Sequence, residues 1–371
     1  MIRRSRILSV FIILCAGCGS STRPSSTAPS VNLGIDVNLY QSNIGLTQAP
    51  QVFASMHLAG AKFVRVGIGW APVETSSGVY SWSTLDQIIQ SAQANSLQVL
   101  LQVGDNTPSW DLPSGAGGNG NYPPVDCTSG AQDCASFGTY VTALVNHVSS
   151  EGVQYIVIRN EPQNSPKNWI GGTEAQFAQF LKAGYAAAHA ASSSIKVLNG
   201  GTEVLPQALM NDLGYSQSDP SVQFVTAAYS DPNFCNSIDI LDVHAGYHGP
   251  SFSPQIVDLS EQSIQQCNGG KRVPVWVTET GYSYMTSVQT GTEMEQELGT
   301  NYTNGASSQQ QYIQDTWGAL LKDSNVVGIN WTFLVSTSDT DPSLDGAGLG
   351  ILDSNWNQVA SFGTIQSMMA Q

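Results

Sequence analysis

Residues 155–200 read YIVIRNEPQNSPKNWIGGTEAQFAQFLKAGYAAAHAASSSIKVLNG. The stretch opens on a β-branched run, Tyr155–Asn160, and closes on another, Lys196–Gly200. Between them Thr173–Ala191 carries a helical pattern, and Thr173 with Gln176 supplies a capping box at its start. Strand, helix and strand in that order mean a crossover between parallel neighbours.

The same beat runs outward in both directions. Further strands are expected at Leu33–Leu39, Phe63–Ile68, Gln98–Val103, Ile238–Val243, Val275–Glu279 and Val327–Phe333. Helical patterns occupy Leu85–Asn95, Phe137–Glu151 and Ser307–Ser324, the last opened by a second capping signal, Ser307 with Gln310. Eight such units predict an α/β chain folded as a single (β/α)8 TIM barrel with enlarged β3, β7 and β8 loops. An open doubly wound sheet is the alternative. It lacks the Gly-rich turn that fold carries after its first strand, where Asp36-Val37-Asn38-Leu39 stands instead.

Composition narrows the class. The 371 residues hold 13 Lys and Arg against 28 Asp and Glu, a formal net charge of −15, so a nucleic-acid partner would be repelled. Hydrophobic residues reach 41%, enough for a large core, while charged residues are only 11%, a profile that suits an exported protein.

The N-terminus agrees with export. Arg3, Arg4 and Arg6 precede the apolar run Ile7–Leu14, which is too short to span a bilayer. Small residues follow, so Met1–Gly17 reads as a signal peptide. Ala16-Gly17-Cys18 resembles the bacterial lipobox, although Cys15 stands where that pattern has Leu. The resemblance implies lipidation of Cys18 and a cell-envelope location, with plain secretion as the alternative. Cys18–Ser30 is a Ser/Thr/Pro tether, and Val31–Gln371 is the folded domain. Membrane attachment is expected only through that lipid, and the protein is expected to be a monomer.

Four cysteines remain: Cys127, Cys134, Cys235 and Cys267. In an oxidising compartment they read as two disulfides, with three pairings open. A 235–267 bridge suits the barrel, since both positions fall at its bottom, and a 127–134 bridge would staple one loop. Their spacing fits no zinc motif. No metal or cofactor is expected, and HExxH, P-loop and GxSxG motifs are absent from the sequence.

Active sites of such barrels gather at the C-terminal ends of strands. Those ends hold Asn38, Arg65 and Trp70, Asp105, Asn160 and Glu161, Glu203, His244 and Tyr247, Glu279, and Asn330 with Trp331. Glu161 follows the fourth strand in Asn160-Glu161-Pro162, and Glu279 ends the seventh. Two carboxylates converging across a barrel mouth can protonate a glycosidic oxygen and attack the anomeric carbon.

In that arrangement the chain resembles the clan A glycoside hydrolases, retaining barrels that include cellulases, β-mannanases and β-xylosidases. The resemblance implies Glu161 as acid/base, Glu279 as nucleophile and Asn160 on the sugar 2-hydroxyl. It implies Arg65 beside the nucleophile, His244 at the sixth strand, and Trp331 as the floor of the subsite next to the scissile bond. Tyr247 would contact the nucleophile, though it follows His244 less closely than the family tyrosine follows its histidine. Trp82 and Asp86, in the stretch after the second strand, would be structural.

Trp70, Trp110 and Trp169 lie just past strand tops and are candidates for further subsites. Trp276 is expected to point outward against the helices. The segment from Asp339 to Gly346 looks like a calcium loop but departs from the EF-hand pattern at Gly350, so an acidic turn is expected. Long loops after the third and seventh strands suggest a polymer as substrate and endo attack. A carbohydrate-binding lipoprotein without catalysis, or a transglycosylase using the same two carboxylates, are the alternatives.

Overall fold

Eight parallel strands form one sheet: β1 (Asn32–Val37), β2 (Phe63–Gly67), β3 (Gln98–Val103), β4 (Tyr155–Ile158), β5 (Lys196–Leu198), β6 (Leu241–Val243), β7 (Val275–Thr280) and β8 (Val326–Trp331). They pair in the order β5-β4-β3-β2-β1-β8-β7-β6, and a bridge from Leu198 to Ile240 closes the ring. The computed structural model describes residues 31–39, 45–128, 133–164, 167–246, 250–285, 305–341, 343–344 and 346–371. The leader, the tether and Cys18 lie outside them, as do Tyr247 and most of the segment after β7.

A helix follows each strand: α1 (Ala49–Leu58), α2 (Ser83–Ala94), α3 (Ala135–Val148), α4 (Glu174–Ala191), α5 (Pro220–Ala228), α6 (Ser253–Cys267), α7 (Ala306–Leu320) and α8 (Ser361–Met369). Thr173 caps α4 with the expected reciprocal box, its hydroxyl accepting from Gln176 N at 3.2 Å. The second signal fails. Gly305 is the N-cap of α7, no side chain caps it, and Gln310 instead donates to Ala360 O of the loop before α8.

Strand alternation sorts the side chains into two layers. Ile35, Val64, Leu101, Ile156, Val197, Val243, Val277 and Ile329 face the helices. Phe63, Leu100, Val157, Leu198, Ile240 and Trp276 fill the barrel interior. Trp276 therefore points inward, against expectation, and the cause is a register shift. Ile329 and Trp331 of β8 pair with Val277 and Thr280 of β7, so β7 carries one extra residue there. That bulge resets the alternation and lets Trp276 and Glu279 face the same interior. Gly328 makes the room: a Cβ on it would lie 2.3 Å from the indole.

The segments 104–134 after β3 and 332–360 after β8 are long, and so is 199–219 after β5, which carries a short helix, Gln207–Asp212. Cys127 pairs with Cys134 and Cys235 with Cys267, the second bridge joining the turn before β6 to the end of α6. Trp82 stacks on His147, which also meets Asp86 at 2.6 Å, so this stretch is structural, tying the segment after β2 to α3. Asp339 accepts from Ser354 N and from the Tyr284 hydroxyl, and Asp341 accepts from Ser343 N, as an acidic turn does.

Candidate active site

Above the apolar interior, polar side chains from six strands or strand ends replace the hydrophobic ones. Asp36 from β1 and Asn330 from β8 are buried and joined at 2.8 Å. Arg65 from β2 lies over them. Its Nη1 donates to Asp36 at 3.1 Å and to Glu279 at 2.7 Å, and its Nη2 donates to Asn160 Oδ1 at 2.6 Å. One guanidinium thus fixes the tops of β1, β2, β4 and β7 relative to one another, a geometry that Lys could not supply.

His244, just past β6, completes the cluster. Its Nδ1 lies 2.9 Å from Glu161 Oε1 and its Nε2 3.4 Å from Glu279 Oε1. One donor atom from each of Glu161, His244 and Glu279 lies within 4.8 Å of the other two. Gly201 leaves space for the imidazole, since a Cβ there would come within 2.0 Å of Nε2.

The chain end of β4 is shaped to present Glu161. Arg159 (φ +65°) and Glu161 (φ +43°) both adopt left-handed backbone, which is uncommon for residues other than glycine. Arg159 is fully buried and donates to three backbone carbonyls: Asn168 at 2.8 Å, Gly104 at 3.0 Å and Asn121 at 3.0 Å. Its guanidinium also sits 4.7 Å from the Trp169 ring centroid. Arg159 was not singled out from sequence; nothing in a strand-end arginine says that it ties loops together.

Burial disfavours the charged imidazole of His244, but Glu279 and Glu161 outweigh it and raise its pKa to about 10. The two flanking carboxylates therefore favour the cationic form of His244. Burial pushes the Asp36 carboxyl up to about 7, with Arg65 resisting and Glu279 adding. Burial also opposes the charge on Arg65, yet Asp36, Glu279 and Asp242 together hold its pKa above the ordinary value. Burial raises Asp105 as well, with Arg159 resisting.

A cavity of about 440 Å³ opens here, lined by Asp36, Asn38, Arg65, Gln102, Asp105, Asn160, Glu161, Glu279 and Phe333 among others. The structure thus brings together Glu161, Glu279, Asn160, Arg65 and His244. It does not bring in the tryptophans. Trp331 is fully buried and faces outward from β8, its Nε1 donating to Leu349 O at 3.0 Å and its ring meeting Tyr312. Parity explains this: Gly328, Asn330 and Thr332 take the inward positions, so Trp331 cannot. Phe333 is the aromatic residue that lines the cavity.

Trp70 is also buried, donating to Glu74 at 2.6 Å and stacking on Tyr140. Trp110 packs edge-on against Trp70, and its Nε1 faces Glu74 O at 3.3 Å. Trp169 donates to Thr173 O at 3.0 Å and packs on Phe177, under Arg159. Trp70 and Trp169 are buried framework, and none of the three tryptophans lines the cavity. Asp36 sits within an apolar strand, where a lone carboxylate in the sequence gives no sign of its inward partners.

A closed parallel barrel with two convergent glutamates at strand tops four and seven defines a clan A glycoside hydrolase. The family model Cellulase (glycosyl hydrolase family 5) matches residues 26–334, and the chain belongs to that family. Among curated protein sequences none matches. Solved structures with this fold include a family 39 glycoside hydrolase from the gut symbiont Bacteroides cellulosilyticus WH2 (TM-score 0.65, 16% identity, 92% of this chain and 64% of that one). A GH5_18 variant from Bifidobacterium longum subsp. longum, in complex with Manb1-4GlcNAc, is similar at TM-score 0.63 and 15% identity, over 92% of this chain and 78% of the other. An exo-beta-1,4-mannosidase from Opitutaceae bacterium strain TAV5 is similar at TM-score 0.59 and 15% identity, over 94% of this chain and 60% of the other.

Proposed function

We propose that this glycosidase hydrolyses β-glycosidic bonds with retention of configuration, Glu279 acting as nucleophile and Glu161 as acid/base. The observation that carries the reading is the spacing of the two carboxylates. One carboxylate oxygen of Glu161 and one of Glu279 lie within 4.8 Å of each other. Retaining enzymes place the pair about 5–5.5 Å apart, whereas inversion needs roughly 6.5–9.5 Å to admit a water.

In the first step Glu279 Oε attacks the anomeric carbon while Glu161 gives its proton to the departing oxygen. The glycosidic C–O bond breaks and a glycosyl ester forms. In the second step Glu161 takes a proton from water, the water oxygen attacks the same carbon, and Glu279 leaves. Two cations suit the changing charge: Arg65 stays on Glu279, and His244 spans both carboxylates. Asn160, held by Arg65 and by its own N–H on Asp105 Oδ1 at 3.2 Å, is placed to meet the sugar 2-hydroxyl. Phe333 supplies the aromatic wall that Trp331 was expected to give.

Proton NMR of the first-formed product tests the stereochemistry. The β-anomer is expected before mutarotation; the α-anomer would contradict the assignment. Endo attack on a polymer draws on the long segments after β3 and β7. It is read from product size: internal fragments for endo action, monosaccharide for exo. Transglycosylation would appear as products longer than the substrate.

We also propose that the mature chain works outside the cytoplasm, tethered through lipidated Cys18. The two disulfides fit an oxidising compartment. Mass spectrometry of the mature N-terminus tests this. An acylated Cys18 supports it, and an unmodified N-terminus leaves plain secretion.

A further inference from the structure

The covalent step moves a negative charge through the site. At rest the charge sits on Glu279, and Arg65 holds it at 2.7 Å. As Glu279 Oε bonds to the anomeric carbon, the glycosidic electron pair leaves with the departing oxygen, which takes the proton of Glu161. Glu279 ends as a neutral ester and Glu161 as the anion. His244 Nδ1, 2.9 Å from Glu161 Oε1, meets the charge where it arrives. Arg65 is left behind. Its side chain is only 6% exposed, and a buried guanidinium stripped of its counter-charge is strongly disfavoured. Such a cation would resist the bond that the nucleophile has to make.

Asp36 can remove that resistance. Among the described residues two carboxylates pair with Arg65, and Asp36, at 3.1 Å, is the one whose charge the reaction does not consume. Its place is built from below. Trp276 Nε1, which can only donate, bonds Asn330 Oδ1 at 3.0 Å. That contact turns the amide so that Nδ2 donates to Asp36 Oδ1 at 2.8 Å, while Arg65 Nη1 takes Oδ2. The Thr332 hydroxyl adds a donor to Oδ2 at 3.3 Å. Each carboxyl oxygen thus faces a group that can only donate, an arrangement that favours the ionised form. Burial raises the Asp36 pKa, with Arg65 opposing and Glu279 adding. Esterification of Glu279 deletes one of the raising influences and leaves the opposing one in place.

We propose that Asp36 is a positioning residue for the covalent step, the counter-anion that keeps Arg65 paired once Glu279 has become a glycosyl ester. The inference rests on the retaining reading, with Glu279 as nucleophile.

The test uses 2,4-dinitrophenyl β-glycosides of glucose, mannose, galactose and xylose and of their β-linked disaccharides. The assay runs at pH 8, above the value of about 7 to which burial pushes Asp36. On the glycoside that the wild type turns over, kcat/KM reports formation of the ester, and kcat also includes its hydrolysis. In Asp36→Asn, kcat/KM is expected to fall roughly 10²- to 10³-fold. The loss in kcat should be roughly tenfold smaller, because hydrolysis of the ester restores the Glu279–Arg65 pair and is not slowed. Combining Asp36→Asn with Asn330→Asp separates charge from hydrogen bonding. The exchange keeps a donor facing an acceptor at each of these contacts and moves the charge one link away from Arg65. Its kcat/KM is expected to stay more than about fivefold below wild type. Equal losses of kcat and kcat/KM in Asp36→Asn, or recovery of the exchange variant to within that margin, overturns the role of Asp36 and leaves the mechanism standing. Undiminished turnover by Glu279→Gln, or silence of the wild type across the panel, removes the mechanism and this inference with it.

Discussion

Arg65 Nη1 donates to Glu279 Oε1 at 2.7 Å, joining the top of β2 to the top of β7 across the barrel mouth. The same nitrogen reaches Asp36 at 3.1 Å, and Nη2 holds Asn160. A planar, permanently charged fork with several donors meets these three partners at once, and an ammonium does not. The arrangement orients the two residues closest to the expected anomeric carbon before any sugar arrives.

Arg65→Lys is therefore expected to keep the charge and lose the geometry. Its kcat should fall by on the order of 10²- to 10³-fold, the usual cost of one preorganised electrostatic partner. Steady-state kinetics on an activated aryl β-glycoside checks this. Retention of wild-type kcat would mean that the ion pair serves only the fold.

His244 sets a pH window for stability. Unfolded, an imidazole releases its proton near 6.5; here it holds the proton to about 10. The stabilisation is complete below pH 6.5 and is lost as pH rises through about 10. Thermal melts of the wild type and His244→Asn should show a gap in Tm that narrows from pH 6.5 to 10. Glu279, Glu161 and Asp242 raise the imidazole's pKa, and Glu203 and Asp36 also interact with the ring. A gap constant across that range would contradict the assignment.

Two glycine substitutions separate packing from propensity. Gly201 has φ +70° and a Cβ on it would strike the His244 ring, so Gly201→Ala should displace the imidazole and lower both activity and stability. Gly363, within α8, has nothing within 4 Å of its added Cβ. Gly363→Ala should stabilise by about 0.5–1 kcal/mol. Chemical denaturation of both variants measures the contrast.

Trp331 and Phe333 divide stability from binding. Trp331→Ala removes a fully buried indole and should cost roughly 3–5 kcal/mol. Phe333→Ala, at the cavity wall, should raise KM with a smaller loss of stability. The reverse pattern in denaturation and kinetics would return Trp331 to the subsite.

The barrel was legible because each strand is a short β-branched run bracketed by a helical pattern, and both glutamates were legible because they end such runs. What failed depended on parity and on contacts distant in sequence. The bulge in β7 leaves no mark in Val275–Thr280, so simple alternation turns Trp276 outward while in the fold it fills the interior over Gly328. Trp331 ends its strand like a subsite residue, yet the inward places go to Asn330 and Thr332, both bonded to Asp36. Asp36 itself is recognisable only through partners in β2 and β8. The Ser307–Gln310 signal lost to tertiary contact, as Gln310 found the loop before α8.

The most direct test of the mechanism is azide rescue of Glu279→Ala and Glu161→Ala on an aryl β-glycoside with a good leaving group. In Glu279→Ala, azide would replace the missing nucleophile and yield the α-glycosyl azide. In Glu161→Ala the glycosyl ester still forms, and azide attacking it would yield the β-glycosyl azide. Those two opposite anomers are the predicted result. The same anomer from both variants, the anomers exchanged, or undiminished hydrolysis by Glu279→Ala without azide would contradict the roles given to the two carboxylates.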